Sequence, residues 1–90
     1  MAFQVTQQPR DVRDYDIDFG EWFPADDRIV QAQVFCTPAG LQVNYAIAHP
    51  RIKLWVEGGL SGQSYKLELV AYTNDGRAKE VEVKVRIKDL

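Results

Sequence analysis

Ninety residues with 11 basic and 13 acidic side chains, 46% hydrophobic and 27% charged, carry a formal net charge of −2. That suffices for one small globular core but not for a core plus a deep catalytic cleft. A pI near 5.3 disfavours general nucleic-acid binding, no apolar run approaches the roughly 20 residues of a bilayer span, and a single cysteine excludes a disulfide framework or a multi-cysteine zinc site.

The opening Met-Ala-Phe-Gln-Val-Thr-Gln-Gln-Pro has neither the basic nor the apolar segment of a signal peptide. Residues 1–10 fit no period and are expected to form an extended arm, leaving 11–90 as a single domain. Tyr15, Ile17 and Phe19 then alternate with Asp14, Asp16 and Asp18 as a strand. Gly20 to Asp27 is the one competitor for a helix, and Pro24 breaks it. Ile29 to Cys36 sets Val30, Ala32, Val34 and Cys36 in one phase and two glutamines in the other. Pro38-Ala39-Gly40 turns the chain into Leu41–Ile47, which alternates until His49-Pro50. Arg51–Glu57 follows, with Ile52, Leu54 and Val56 in phase, and ends in Gly58-Gly59-Leu60-Ser61-Gly62.

The last two runs are the clearest. In 65–73, Tyr65, Leu67, Leu69 and Ala71 share a face. In Glu80–Lys88, β-branched residues strictly alternate with charged ones. Asn74-Asp75-Gly76 joins the two as an antiparallel hairpin. Strands at roughly 8–12-residue spacing with turns between them predict an all-β, antiparallel sandwich of six to seven strands. Its expected core is Ile17, Val30, Val34, Val43, Leu54, Val56, Leu67, Leu69, Val83 and Val85.

Several residue types invite a chemical reading. Asp14, Asp16 and Asp18 have D-x-D-x-D spacing, but a calcium loop counted from Asp14 would need glycine at Phe19 and glutamate at Ala25. Carboxylates on one side of a strand lie about 6.5–7 Å apart and do not converge on a cation. A solvated strand face is the expectation, and no metal site. Cys36 shares an apolar phase and reads as a buried, inert thiol, and His49 as a solvent-facing residue at a strand end. The Gly58–Gly62 loop lacks the Lys-Ser/Thr and the helix of a phosphate cradle. No convergent catalytic group emerges, so neither an enzyme nor a cofactor is expected. Among the aromatics, Tyr15, Phe19, Phe35, Tyr45 and Tyr65 are assigned to or near the core. Trp55 and Tyr72 fall in the polar phases of their strands, with Lys53 and Glu57 or Lys66 and Glu68. If their strands share a sheet, they form one aromatic surface with a charged rim. The alternative cover for Trp55 is the arm, which carries Phe3 and Val5.

The ordered set Asp14-Tyr15-x-x-Asp18-Phe19-x-x-Trp22-Phe23, Asp27-x-Ile29, Pro38-x-Gly40-Leu41-x-Val43, Leu54-Trp55-Val56-x-Gly58-Gly59-x-x-Gly62-x-x-Tyr65 and Thr73-x-x-Gly76-Arg77 spans residues 14–87. It resembles the short bacteriophage fibre-tail adaptor proteins. Phe19 and Phe23 stand where that pattern has Trp and Leu, and Cys36 where it has Val or Thr. The resemblance implies an immunoglobulin-like sandwich and a structural virion protein, made in the host bacterial cytoplasm, that joins fibres or spikes to the tail or neck. Multiple copies in a ring, contacts to other tail, neck or fibre proteins, and no nucleic-acid or membrane partner go with it. The expected interface residues are Trp55, Tyr72, Phe3, Val5 and Arg77. The competing reading is a carbohydrate- or surface-binding module of a larger assembly.

Overall fold

A computed structural model describes residues 2–89; of Ala2 it gives the backbone only. Seven strands follow one another: β1 Ala2–Gln7, β2 Val12–Asp18, β3 Ile29–Thr37, β4 Leu41–Ala48, β5 Arg51–Gly58, β6 Ser64–Thr73 and β7 Ala78–Ile87. They form a four-stranded sheet in the order β1-β7-β6-β3 and a three-stranded sheet in the order β2-β5-β4. The order is that of the immunoglobulin sandwich, in which the second, fifth and fourth strands face the third, sixth and seventh.

Period-two patterning explains the packing. Ile52, Leu54 and Val56 of β5, Tyr65, Leu67, Leu69 and Ala71 of β6, and Val81, Val83, Val85 and Ile87 of β7 are all buried between the sheets. β6 and β7 pair as expected, with Leu67 opposite Val83 and Tyr65 opposite Val85. Fully burying a side chain of this size is worth about 1.5–3 kcal/mol, so these three inner strands supply most of the hydrophobic stabilisation. Tyr65 carries a further mark of the fold: its hydroxyl accepts a hydrogen bond from the Leu60 N–H at 3.0 Å, five residues upstream. That is the tyrosine corner of immunoglobulin-like domains.

Four expectations are corrected. Residues 2–7 are a strand of the sandwich, paired in parallel with β7 from Ala2 opposite Glu82 to Gln7 opposite Ile87. Phe3 and Val5 pack against the core, and with buried Gln7 they form the inward face of the strand. Met1, counted in the arm, and Leu90, counted in the domain, lie outside the described residues. Val30 is 59% exposed, because the β3–β6 register shifts between Ile29 and Gln31. The extra residue of such a bulge leaves the ladder, so Ile29 takes the buried place. Phe35 and Tyr45 are exposed, at 52% and 44%. Phe35 lies opposite Glu68 on the outer face, whereas Tyr45 faces inward on an edge strand, where the second sheet does not cover it.

Finally, Cys36 and His49 both depart from expectation, and both are half-buried. Cys36 is only half-buried, since the end of β3 lies at a sheet edge, and its thiol donates to the Pro38 carbonyl at 3.2 Å. His49 is half-buried rather than solvent-facing, and its Nδ1 accepts the Ile29 N–H at 3.1 Å.

Two clusters close the ends of the sandwich. At one end, Phe19 is fully buried, edge-on to Trp22 with centroids 5.6 Å apart and stacked on Phe23 at 6.2 Å. This anchors the segment between β2 and β3. Beside it Asp27, also fully buried, accepts N–H bonds from Arg28 at 3.0 Å and Asp75 at 3.2 Å, and pairs with Arg77 at 2.9 Å. At the other end Tyr65 and Ile87 close over Gly40 and Gly59.

Candidate functional site

The outer faces of the two sheets differ. On the three-stranded sheet Trp55 sits in the central strand, with Asp14 opposite it on β2 and Asn44 opposite it on β4. It is 39% exposed. The next rank is Asp16, Lys53 and Ala46, and the one beyond is Asp18, Arg51 and Ala48. The Lys53 ammonium lies 5.6 Å from the Trp55 ring centroid and reaches Asp14 at 3.5 Å and Asp16 at 4.0 Å. Arg51 meets Asp18 at 3.9 Å. The three aspartates thus form the solvated face expected, each answered by a basic residue of β5. Pairs this exposed contribute well under about 1 kcal/mol each. Their effect is to hold a charged border around the Trp55 ring, with the Lys53 ammonium over it. Val12, also exposed, lies on the same face diagonal to Trp55.

On the four-stranded sheet Tyr72 lies on the outer face of β6, half-buried, and its hydroxyl donates to the Gln33 side-chain oxygen at 2.8 Å. β5 and β6 belong to different sheets, so Trp55 and Tyr72 face opposite ways and do not form one surface. Farther along β6, away from Tyr72, the face is mixed. Lys66 contacts Glu68 at 3.4 Å and Glu82 at 3.8 Å. Hydrogen bonding to Glu68, with some burial, raises the Glu80 carboxyl above its ordinary value of 4.5. A shallow trough of about 390 Å³ crosses this face between Gln4, Lys84, Lys66 and Thr37.

The remaining expected interface residues are engaged within the domain. Phe3 and Val5 are half-buried against the core from β1, away from Trp55. Arg77 is half-exposed but holds Asp27 and reaches Asp75 at 3.5 Å. Burial would push the Asp27 carboxyl up. The Thr73 hydroxyl, Arg77 and the N–H groups of Asp75 and Arg28 outweigh that and hold it below its ordinary value of 3.8. The sequence marks Asp27 only as part of the Asp27-x-Ile29 motif in an acidic stretch, and its buried role does not show there. Its partners Asp75 and Arg77 are 48 and 50 positions away.

A second polar tie crosses the sandwich. Gln7 is buried. Its Nε2 donates to the Val56 carbonyl at 3.1 Å, and its Oε1 accepts the Tyr15 hydroxyl at 2.8 Å. Burial raises the Tyr15 phenol pKa, with Asp11 and Asp14 adding to it against Arg13, so the phenol stays a donor. Among the described residues every buried side-chain polar atom has a partner, and no three His, Cys, Asp or Glu side chains are placed to hold a metal ion.

The arrangement is therefore a two-layer body with separate outward faces, one of them centred on a tryptophan within a charged border. A search of the curated proteins returned no match. The family model described as podophage GP4 fiber-tail adaptor protein gp77 matches residues 7–86, and the chain belongs to this family of phage fibre-tail adaptors, structural components of the virion.

Proposed function

We propose that the protein joins tail fibres or spikes to the tail or neck of a podophage virion, in multiple copies arranged as a ring, and that it binds its neighbours through the outer sheet faces around Trp55 and Tyr72. The observation that carries the reading is Trp55. The core closes completely without it, since Ile52, Leu54 and Val56 on either side are fully buried, and an exposed indole in mid-sheet gives an isolated domain little. An aromatic centre with a charged rim matches the composition of interface hot spots. Phe3 and Val5 serve the core and Arg77 serves Asp27, so the contact is assigned to the two outer aromatics. Synthesis in the host cytoplasm before assembly belongs to the same reading.

The test is capture of disassembled virion proteins by the purified chain, with melting temperature measured on the same variants. Trp55→Ala is expected to weaken capture by about 1–3 kcal/mol while the melting temperature stays within a few degrees. Capture at wild-type strength by both Trp55→Ala and Tyr72→Ala would overturn the assignment of these faces. Binding of a glycan by the isolated chain, with no protein captured, would favour the sugar-binding alternative.

A further inference from the structure

The outer face of the four-stranded sheet is sorted by charge along its strands. The register sets Ala2, Glu82, Glu68 and Phe35 side by side in one row across β1, β7, β6 and β3. The next row is Gln4, Lys84, Lys66 and Thr37, and the one after it Thr6, Arg86 and Ser64. These last two rows hold Lys84, Lys66 and Arg86 and no carboxylate. Lys66 and Lys84 stand directly opposite each other, an arrangement that destabilises an antiparallel pair unless something offsets it. Lys66 turns to the glutamate row and is shared by Glu68 at 3.4 Å and Glu82 at 3.8 Å. Among the described residues no carboxylate pairs with Lys84 or Arg86.

The trough of about 390 Å³ follows the Lys84–Lys66 row from Gln4 on one edge strand to Thr37 on the other. All four of these side chains are exposed. With neighbouring strands about 4.8 Å apart, the row is about 14 Å across, the length of about four extended residues. Each side chain along it can donate a hydrogen bond to an oxygen: the Gln4 amide, the Thr37 hydroxyl and the two ammonium groups. Ser64 adds a hydroxyl to the lining, and the Arg86 guanidinium stands in the adjoining row. Glu82 borders the trough on one side only. The row is therefore rich in donors and in positive charge that the domain itself leaves unanswered.

We propose that this trough docks an extended acidic segment of a partner protein, with its carboxylates set against Lys84, Lys66 and Arg86. Charge complementarity selects the occupant. Double-stranded nucleic acid carries a negative charge about every 1.7 Å of its axis, and its backbone would run on against Glu68 and Glu82. A segment with two or three carboxylates ends within the cationic rows. The chain's own run of carboxylates, Asp14, Asp16 and Asp18, is already answered by Lys53 and Arg51, so the segment belongs to a different protein. The proposal takes from the adaptor reading only that a protein partner exists. It assigns to that partner a contact apart from the outer aromatics, since Lys66 lies near the start of β6 and Tyr72 near its end.

The test titrates the purified chain into a fluorescently labelled octaglutamate peptide at low ionic strength and follows anisotropy. Lys84→Gln/Arg86→Gln removes two exposed cations without touching the core. It is expected to weaken binding at least about tenfold at an unchanged melting temperature. Arg10→Gln/Arg28→Gln removes the same charge from exposed positions outside the trough, and is expected to weaken binding by less than about twofold. No binding of octaglutamate by the wild type overturns the proposal, as does a folded Lys84→Gln/Arg86→Gln variant that binds like the wild type. Equal losses in the two double variants overturn it too, because net charge and not the trough would then set the affinity. A short DNA duplex bound more tightly than the peptide, with the same dependence on Lys84 and Arg86, would replace the acidic segment by nucleic acid. Self-association of the chain abolished by Lys84→Gln/Arg86→Gln would replace it by a second copy. None of these results involves Trp55 or Tyr72, so the trough can fail while the adaptor reading stands.

Discussion

The two ends of the sandwich are closed by opposite chemistry. At the end holding Asp27, a buried carboxylate gathers backbone N–H groups from two loops and one guanidinium. At the end holding Gly59 the closure is steric: Tyr65, Leu41 and Ile87 come so near the Gly59 backbone that an added Cβ would sit 2.7 Å from Ile87 Cγ1 and 3.0 Å from Leu41 Cδ2. Beside the packed Phe19 cluster, the first end is specified by hydrogen-bond valence and responds to protons. The second is specified by shape and does not. One small fold thus solves the same problem, sealing the open mouth between two sheets, by two independent means.

Substitutions can break each seal separately. Gly59→Ala is expected to have the largest effect. It combines a left-handed φ of 95° with the overlap on Ile87, which together cost about 2–4 kcal/mol in chemical denaturation. A loss under about 1 kcal/mol would show that this end yields rather than locks. Asp27→Asn comes next and is expected to lower the melting temperature by on the order of 10 °C at neutral pH.

The acid dependence sharpens the contrast. The folded Asp27 value lies below that of the unfolded chain, so its contribution is whole above pH 3.8 and is lost as pH falls through the lower folded value. The gap between wild type and Asp27→Asn should therefore narrow below pH 3.8, while the Gly59→Ala deficit persists. A gap that widens in acid would mean the carboxylate is not held by its donors. The smallest effect is expected for Gly76→Ala. Its φ of 88° carries the same left-handed cost, but an added Cβ meets no atom within 4 Å. A loss of about 1 kcal/mol is expected, and its difference from Gly59→Ala isolates the steric part of the seal.

What was legible in the sequence follows from the same distinction. Alternation is a local property, so six of the seven strands could be placed, and Tyr65, Leu67, Val83 and Val85 assigned inward. Alternation says which side of its own strand a residue takes, but not which sheet that strand joins. For that reason Trp55 and Tyr72 were both set outward, yet could not be set apart. The bulge at Ile29 inverts the phase of a single residue, and no neighbour of Val30 announces it. β1 was hidden because its inward positions are Phe3, Val5 and a glutamine, and because its partner β7 lies at the far end of the chain. Asp27 was hidden because only the folded topology brings its donors to it. The candidate interface was legible where residue type contradicts local phase, at Trp55, a large aromatic in a polar phase.

The parallel pairing of β1 with β7 also bears on what happens when such a connector is pulled. The two strands run side by side in the same direction from Ala2 and Glu82 to Gln7 and Ile87. Tension drawing the two ends of the chain apart therefore acts along the ladder, and its bonds share the load at once instead of opening one after another. Gln7, bonded to Val56 and Tyr15 of the other sheet, transmits part of that load across the core. The segment expected to be an extended arm is thus a strand whose geometry resists shear.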